Sequence, residues 1–474
     1  MSYTLTSAED LAGLAYLMEN FLISSYFNGI DFTFDNVDGK IDLSAHFWVP
    51  ICDGLGFEGN FDGRGIVIDG LRIGTEAAPL EYYYQGLFGA VSVGGTIKNI
   101  GLENGEIYGT DSSSGSIVGS NGGTIENCYN TGSVSGTEVN GGIAGYNGGT
   151  IRNCYNTGSV SGTEHSGGIV GINNGTIENC YNTGSVYGTE YNGGIAGLNN
   201  AGTIENCYNT GSVSGTERNG GIVGSNSGTI ENCYNTGSVS GTEYNGGIVG
   251  YSSGVIENCY NRGEVISSIA DAGPLVGNDG GTTTNSYWLD SIGFPFVAGE
   301  SLSLDEMTGG DAITTMNLGS GWVSKENVGR TYFFPQLEVF TAGDSVWISD
   351  SLNSVTLFDG IDVLITQTET PIFEKGQKLS DLNPADYVTI TPDVPGTFSW
   401  KTPEMVFDTL GDFTAVIIFT PMDATTYLPS EINADITIKA VGPEPKAHAG
   451  SLLFFIVAVI TLGCLFYIGV VKEE

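Results

Sequence analysis

The sequence predicts an all-β chain whose main part is a right-handed parallel β-helix, a solenoid with coils of about 26 residues. Three observations predict this fold. First, six cysteines recur at steps of 26, 26, 27, 26 and 26 residues. Second, each copy carries short β-branched pieces such as GTIEN, GSVSG and GGIVG, with no helical period. Third, glycine accounts for 73 of 474 residues, and no copy has enough apolar surface to fold alone. Stacked copies would bury isoleucine on isoleucine and valine on valine.

Each coil is expected to hold three short strands that stack on the next coil at about 4.8 Å. The repeats run over about 95–290, because GTIKNIGLENGEIYG precedes the cysteine copies and TTTNSYW follows them. Ile100 and Ser286 stand near the cysteine position in these outer copies. The single inserted residue, Ala201, is predicted to lie at a corner, where loops tolerate insertion.

A helix is predicted before the first coils. SAEDLAGLAYLMENF begins with the N-cap candidate Ser7 and places Leu11, Leu14, Leu17 and Met18 at helical spacing. Such a helix would cap the open end of the solenoid, where unpaired strand edges would otherwise promote aggregation. The whole β-helix domain is predicted over 1–345.

The C-terminal part changes character. Alternating strands separated by prolines, ADYVTITP, GTFSWKTP, FTAVIIFTP and INADITIKA, predict a β-sandwich over 346–440. A proline-containing linker follows over 441–450. The segment 451–471 carries no charge over 21 residues, enough for a transmembrane helix, and a short tail covers 472–474.

The N-terminus has neither a basic start nor an apolar run before a cleavage site. Two interpretations stay open: the true start lies upstream, or the chain inserts into the membrane tail-first. We expect a single-pass cell-surface protein with an extracellular body.

Several stretches resemble GLUG-repeat surface proteins of bacteria and archaea. They are FEGNFDGRGIVIDGLRI, GLFGAV, GGTIKNIGLENGEIYG, GGIVG and NCYNTGSVSG, and the stretch from Asn285 to Phe340 is similar to the closing segment of such solenoids. The resemblance implies the architecture and an adhesin-like role, although such repeats also accompany some surface peptidases. The stretch GQKLSD…GTFSWKTP…FTAVIIFTPMDATTYLP is similar to small Ig-like modules of bacterial surface proteins.

The charge excludes one class of partner. Lys+Arg is 15 against Asp+Glu 54, a formal net charge of −39, so the chain lacks the cations that nucleic-acid phosphates require. An acidic surface suits an exported protein.

The cysteines and their preceding asparagines are interpreted as structural ladders. A line of one cysteine per coil does not form the tetrahedron that zinc needs. Disulfides between neighbouring coils are the rival to reduced thiols packed inside the solenoid. The asparagines are expected at left-handed corners, where stacked amides bond to one another. The two ladders comprise Asn127, Cys128, Asn153, Cys154, Asn179, Cys180, Asn206, Cys207, Asn232, Cys233, Asn258 and Cys259.

The tyrosines that follow the cysteines form a third column, either an exposed aromatic stripe or part of the core. A glutamate column runs through the GTIEN pieces, where Arg152 replaces one glutamate and can neutralise its neighbours. A second glutamate column is expected to have no compensating base, and it would suit Ca²⁺ or a cationic ligand, or form a solvated edge. No other cofactor is expected.

The residue after each glutamate of the second column is the variable position of the repeat. A nearly constant scaffold with one variable column is typical of solenoids that diversify binding, so these pairs are the candidate ligand-binding residues. They are Glu138, Val139, Glu164, His165, Glu190, Tyr191, Glu217, Arg218, Glu243 and Tyr244.

We expect a binding protein that is not an enzyme. The sequence contains no H-E-x-x-H motif, no catalytic aspartate pair and no G-x-S-x-G elbow with a usable histidine. The predicted function is adhesion to a glycan or protein through the side of the β-helix. The alternatives are a surface polysaccharide lyase or hydrolase and a purely structural envelope protein. A carboxylate pair near an aromatic groove would favour the enzyme.

Overall fold

The computed structural model describes residues 2–20, 29–35, 39–52, 56–78, 82–110, 113–267, 271–289, 300–325, 327 and 331–340, and isolated strands beyond 353. The chain divides into two compact units, Met1–Val355 and Thr356–Glu474. The first unit is a parallel β-solenoid, as the repeat predicts. Its coils contribute to four sheets rather than the three predicted, because the variable position starts a strand of its own.

Sheet 1 contains the threonine–isoleucine–glutamate pieces and, after the asparagine corner, the tyrosine–asparagine pieces. Its 20 strands are Ser2–Leu5, Asp31–Phe34, Lys40–Asp42, Asn60–Asp69, Thr96–Glu103, Thr124–Glu126, Tyr129–Asn130, Thr150–Arg152, Tyr155–Asn156, Thr176–Glu178, Tyr181–Asn182, Thr203–Glu205, Tyr208–Asn209, Thr229–Glu231, Tyr234–Asn235, Val255–Glu257, Tyr260–Asn261, Thr282–Thr284, Tyr287–Leu289 and Glu300–Leu302.

Sheet 2 contains the valine–serine pieces. Its eight strands are Arg72–Ile73, Glu106–Gly109, Ser133–Gly136, Val160–Gly162, Val186–Gly188, Val213–Ser214, Val239–Gly241 and Val265–Ser267.

Sheet 3 begins at or beside the variable position. Its eight strands are Tyr84–Gln85, Ser113–Gly115, Val139–Gly141, His165–Gly167, Glu190–Gly193, Glu217–Gly220, Glu243–Gly246 and Ala272–Gly273.

Sheet 4 contains the second part of each GGIVG piece. Its eight strands are Phe88–Val91, Val118–Asn121, Ala144–Asn147, Val170–Asn173, Ala196–Asn199, Val223–Asn226, Val249–Ser252 and Val276–Asp279.

Identical residues lie directly above one another in the core. Ile125 pairs with Ile151, and Ile151 pairs with Ile177, all fully buried. Valines of sheet 2 form a separate buried row that includes Val160 and Val186. The inserted Ala201 lies in the turn between sheets 4 and 1, exposed and with φ of 67°. The register therefore survives the longer coil, as predicted.

The predicted helix spans Ala8–Asn20 and follows a strand, Ser2–Leu5, that already belongs to sheet 1. The Asp10 N–H donates to Ser7 Oγ at 3.2 Å, which confirms the N-cap candidate. Leu11 and Met18 pack into the main core. Leu17 is instead 47% exposed, because the helix turns that position toward solvent.

Residues 300–340 form a closing segment. It contains the short helix Ala312–Thr315, the antiparallel pair Trp322–Val323 and Gln336–Leu337, the strand Thr331–Phe333 and the 3-10 turn Glu338–Phe340. None of the helices in the described part of the chain combines the length and apolarity that a membrane crossing requires.

The second unit is described only by its strands, and Ser354–Thr356 lies at the boundary. Leu364–Gln367 pairs antiparallel with Val388–Thr391. An antiparallel sheet contains Ile372–Phe373, Leu453–Ile460, Ser430–Val441, Gly411–Pro421 and Gly396–Trp400.

The four stretches that the sequence predicts as strands, ADYVTITP, GTFSWKTP, FTAVIIFTP and INADITIKA, all overlap strands of this unit. One expectation differs: Leu453–Ile460, inside the predicted membrane helix, is a strand paired with Ser430–Val441. The antiparallel pairing satisfies the backbone hydrogen bonds of this segment in an extended conformation. Residues 442–452 and 461–474 lie outside the described residues; they include all of the predicted linker 441–450 except Val441, the rest of the predicted membrane segment and the tail 472–474.

Candidate functional site

The variable residues lie at one register position of sheet 3, beside the corner where each coil leaves sheet 2. Val139 pairs with His165, and the pairing of Glu190 with Glu217 and of Glu217 with Glu243 aligns the next three coils. We call this row the variable stripe: Val139, His165, Tyr191, Arg218 and Tyr244. All five residues are partly exposed.

The backbone of the stripe is unusual in its last three coils. Tyr191, Arg218 and Tyr244 have φ of 52°, 53° and 53°. The left-handed region costs a bulky L-residue about 1–2 kcal/mol. Contacts with the neighbouring coils must offset that cost, so the side chains are held in defined positions.

Those contacts are ring and guanidinium stacks along the solenoid. The rings of His165 and Tyr191 lie 4.8 Å apart at an angle of 13°. Arg218 Cζ lies 4.8 Å from the centre of the Tyr191 ring and 5.8 Å from that of Tyr244. Tyr251, from sheet 4, lies edge-on to Tyr244 at 6.5 Å. From His165 to Tyr244, the stripe is therefore a continuous aromatic and cationic surface.

The glutamates of the second column flank the stripe. Glu138 and Glu164 are exposed, and Glu190, Glu217 and Glu243 are half-buried. The structure corrects one expectation here, because the column is not without a compensating base: Arg218 Nη1 lies 3.7 Å from Glu217 Oε2. The base comes from the neighbouring variable position.

His165 is the titratable member of the stripe. Burial lowers the pKa of its imidazole, and the nearby carboxylates of Glu164 and Glu190 act in the opposite direction. Its Nδ1 lies 3.7 Å from Glu164 Oε2. The side chain is therefore mainly neutral at pH 7, when the stripe carries the charge of Arg218 alone.

The expectation of Ca²⁺ finds no assembled site in the residues that the structure describes. There, no three side chains of His, Cys, Asp or Glu come together to hold a metal ion. A column with one carboxylate per coil is a line, whereas calcium takes six to eight oxygens around one point.

The first glutamate column lies on sheet 1. Arg152 Nη2 donates to Glu126 Oε2 at 3.0 Å, which raises the pKa of the arginine. Further along, burial and the neighbouring carboxylates of Glu205 and Glu257 raise the pKa of Glu231. Arg152 thus reduces the repulsion between carboxylates at its end of the column, whereas the carboxylates around Glu231 still repel one another.

The corner asparagines Asn127, Asn153, Asn179, Asn206, Asn232 and Asn258 have φ between 51° and 54°. Some of their amides bond between coils: Asn127 Nδ2 donates to Asn99 Oδ1 at 3.1 Å, and Asn179 Nδ2 donates to Asn153 Oδ1 at 3.3 Å. The left-handed corner ends one strand of sheet 1 and lets the next begin.

The repeat cysteines Cys128, Cys154, Cys180, Cys207, Cys233 and Cys259 are free and buried. Cys154 Sγ donates to the Arg152 carbonyl at 3.2 Å and accepts from the Cys128 N–H at 3.4 Å. Ser286 takes over the same position, with Oγ donating to the Thr284 carbonyl at 2.8 Å. The cysteine side chains therefore pack in the core, and their thiols also make local hydrogen bonds.

The tyrosine column stacks along the solenoid, with neighbouring rings of Tyr129, Tyr155, Tyr181, Tyr208, Tyr234 and Tyr260 separated by 4.9 to 5.1 Å. Its two ends differ. Tyr129 and Tyr155 are half-buried, whereas Tyr260 is fully buried and its hydroxyl donates to the Pro335 carbonyl at 2.7 Å.

The closing segment covers the second end. Trp322 lies 5.6 Å from Tyr260, and Phe340 meets Tyr208 edge-on at 4.9 Å. The closing segment therefore covers this end of the tyrosine column. The variable stripe is the better candidate for recognition.

Sequence reasoning missed three ladders of buried asparagine. The longest contains Asn130, Asn156, Asn182, Asn209, Asn235 and Asn261, joined by amide hydrogen bonds of 2.8 to 3.0 Å. A second contains Asn121, Asn147, Asn173, Asn199 and Asn226, and a third contains Asn192, Asn219 and Asn245. Side chains of a strand alternate between its two faces. With the cysteine inward and the tyrosine outward, the asparagine that follows must point inward, and this alternation could have identified the longest ladder.

The geometry defines a class: a parallel β-solenoid of near-identical repeats with one variable column on its side. Three segments match the model of the GLUG motif, at residues 141–161, 162–187 and 215–240. No curated protein matches the chain. A solved structure from Bacteroides ovatus, described as a candidate immunoglobulin A1 protease, is similar over 71% of this chain and 92% of its own, with 20% identity and a TM-score of 0.39.

Proposed function

We propose that this chain is a cell-surface recognition protein that binds a glycan or protein ligand through the side of its β-helix, without catalytic turnover. The observation that carries the proposal is the variable stripe. The scaffold residues repeat from coil to coil, whereas this one position changes and its side chains stack into a single surface.

The composition of the stripe supports recognition. Aromatic rings and arginine supply most of the binding energy at typical interfaces, because they bury a large area at a small entropic cost. Tyr191, Arg218 and Tyr244 are held at positive φ by their neighbours, so little further ordering is needed when a ligand binds.

Two further parts of the proposal concern attachment. Residues 346–440 would form an Ig-like module between the solenoid and the membrane. The uncharged segment 451–471 would insert in the bilayer as a helix, which requires Leu453–Ile460 to leave its pairing with Ser430–Val441; its length and composition support this step. Membrane fractionation of the full chain, compared with a chain ending at 450, tests this attachment; equal release into the soluble fraction would contradict it.

The stripe is tested with the full chain on an array of glycans and extracellular-matrix proteins. A variant carrying Tyr191→Asn, Arg218→Asn and Tyr244→Asn keeps residues that tolerate positive φ but removes the stack. We expect it to lose at least tenfold in affinity for any ligand found. Tyr146→Ser is the matched control, because serine occupies the same column at Ser120 and Ser225.

Three results would contradict the proposal. Equal binding by the triple variant would place recognition elsewhere. Absence of any ligand would favour the purely structural envelope protein. Conversion of a bound polysaccharide to shorter products would favour the enzyme.

A further inference from the structure

A groove of about 510 Å³ lies on the outer face of sheet 2, and none of its lining residues belongs to the variable stripe. It extends from the turn after Arg72–Ile73 to Val186–Gly188. Its volume is in the range of small-molecule sites. Neither the repeat motif nor the comparisons assign a role to it.

The groove exists because two tyrosines replace a smaller residue in one column of the sheet. Tyr108 pairs with Ser135, Ser135 with Ser161, and Ser161 with Tyr187. Three steps of about 4.8 Å between coils place the tyrosine backbones roughly 14 Å apart. The tyrosines are the walls of the groove, and the two serines between them are its floor.

The column continues beyond Tyr187 with Ser214 and Ser240, so serine is the ordinary residue at this position. Tyr187 is 55% exposed. Among the residues that the structure describes, neither Tyr187 nor Tyr108 has a hydrogen-bond or ring partner. A large ring without an internal stacking or hydrogen-bond partner, at the edge of a groove, is available to pack against a ligand.

Acidic side chains at one end of the groove indicate which charge a ligand can carry. Glu76 and Glu106 are both exposed at the Tyr108 end, and Arg72 Nε lies 3.9 Å from Glu106 Oε2. Carboxylates accept hydrogen bonds from hydroxyl donors and repel anions. An anionic sugar is therefore disfavoured, and an uncharged polyol is favoured.

A peptide fits less well than a sugar. Peptides that add to a sheet need a free strand edge, whereas the four strands that carry Tyr108, Ser135, Ser161 and Tyr187 are each paired on both sides. The face offers rings at both ends and hydroxyls between them. Sugar rings present an apolar C–H face to such tyrosines and hydroxyls to the serines and carboxylates.

We propose that this groove binds a short, uncharged oligosaccharide between Tyr108 and Tyr187. The site does not depend on the variable stripe, so either can fail alone. Binding leaves the sugar intact, and the two carboxylates act as hydrogen-bond acceptors.

The test uses the full chain and isothermal titration calorimetry with defined probes. The uncharged probes are oligomers of glucose, mannose, galactose and N-acetylglucosamine; the anionic probes are oligogalacturonate and hyaluronan fragments. We expect at least one uncharged probe to bind and the anionic probes to bind at least tenfold more weakly. Failure of all the uncharged probes at millimolar concentration would overturn the proposal.

Three variants locate the site. Tyr187→Ser copies the neighbouring coils and should weaken binding at least tenfold while leaving the unfolding curve unchanged. Tyr146→Ser, on sheet 4, should leave binding unchanged. Glu76→Gln combined with Glu106→Gln should reduce discrimination against the anionic probes at least threefold. Unchanged affinity of the Tyr187→Ser variant, or recovery of shortened sugar, would overturn the proposal, whatever the stripe variants do.

Discussion

Arg218 Cζ lies 4.8 Å from the centre of the Tyr191 ring, one coil away, and both residues have positive φ. Each residue is in a conformation that its side chain disfavours, and each is next to a partner that attracts it. The pair shows how the stripe is ordered: contacts between coils compensate local strain within coils.

Replacing both members of this pair should reveal their coupling. In a double-mutant cycle with Arg218→Ala and Tyr191→Asn, measured by urea unfolding, we expect a favourable interaction of about 0.5–1 kcal/mol. The control cycle combines Arg218→Ala with Tyr146→Ser, which lies three coils away and should show no coupling. A coupling energy of zero between Arg218 and Tyr191 would contradict the claim that contacts between coils hold the side chains of the stripe in place.

The buried asparagine ladder should be far less tolerant than the corner ladder. Asn209 Nδ2 donates to Asn235 Oδ1 at 2.9 Å and to the Gly211 carbonyl at 2.8 Å. Asn209→Ala leaves buried partners unpaired on both sides, and we expect a loss of about 3 kcal/mol or more in unfolding free energy. Asn206→Gly, at a corner with φ of 53°, should change it by under about 0.5 kcal/mol. Similar losses in the two variants would contradict this difference.

The repeat cysteines should be unreactive in the folded protein and free after unfolding. All six thiols are at most 1% exposed, so the reagent cannot reach them while the coils are folded. Burial also raises the pKa of the Cys128 and Cys154 thiols, which reduces their thiolate fraction. Alkylation with iodoacetamide, mapped by mass spectrometry, should modify none of the six within an hour in buffer. It should modify all six in denaturant without reductant. Peptides linked by a disulfide in the unreduced sample would contradict the packed-thiol column.

The tyrosine column should make the fold sensitive to alkali. Burial raises the pKa of Tyr181 to about 12, and burial with the Glu103 hydrogen bond raises that of Tyr129 to about 12, from 10.0. A pKa raised by folding contributes stability that is fully present below pH 10 and is lost as pH rises toward 12. Unfolding free energy should therefore fall over this interval, while absorbance at 295 nm shows late ionisation.

The control for this titration is the urea-unfolded chain, whose tyrosines should ionise together near their ordinary value. Coincident titration of folded and unfolded chains would show that the column is not protected.

The sequence supported prediction of the solenoid because its information is periodic. A 26-residue repeat brings Ile125, Ile151 and Ile177 into one row, and glycine and asparagine at fixed offsets define the corners. The repeat also anticipated the insertion at Ala201, the buried cysteines and the variable column. It predicted three strands per coil, whereas a complete coil has five in four sheets. The strand at the variable position and the short tyrosine–asparagine strand have no apolar alternation that would reveal them.

The sequence by itself determined the period, the register and the membership of each column, since stacking needs only a constant step between identical residues. The tertiary structure decided what each column faces. Trp322 Nε1 donates to Asn232 Oδ1 at 3.3 Å, 90 residues away, and the closing segment thereby covers half of the tyrosine column. Tyr108 and Tyr187 likewise become two walls of one groove only after four coils have stacked. Such relationships depend on long-range contacts, which no local spacing encodes.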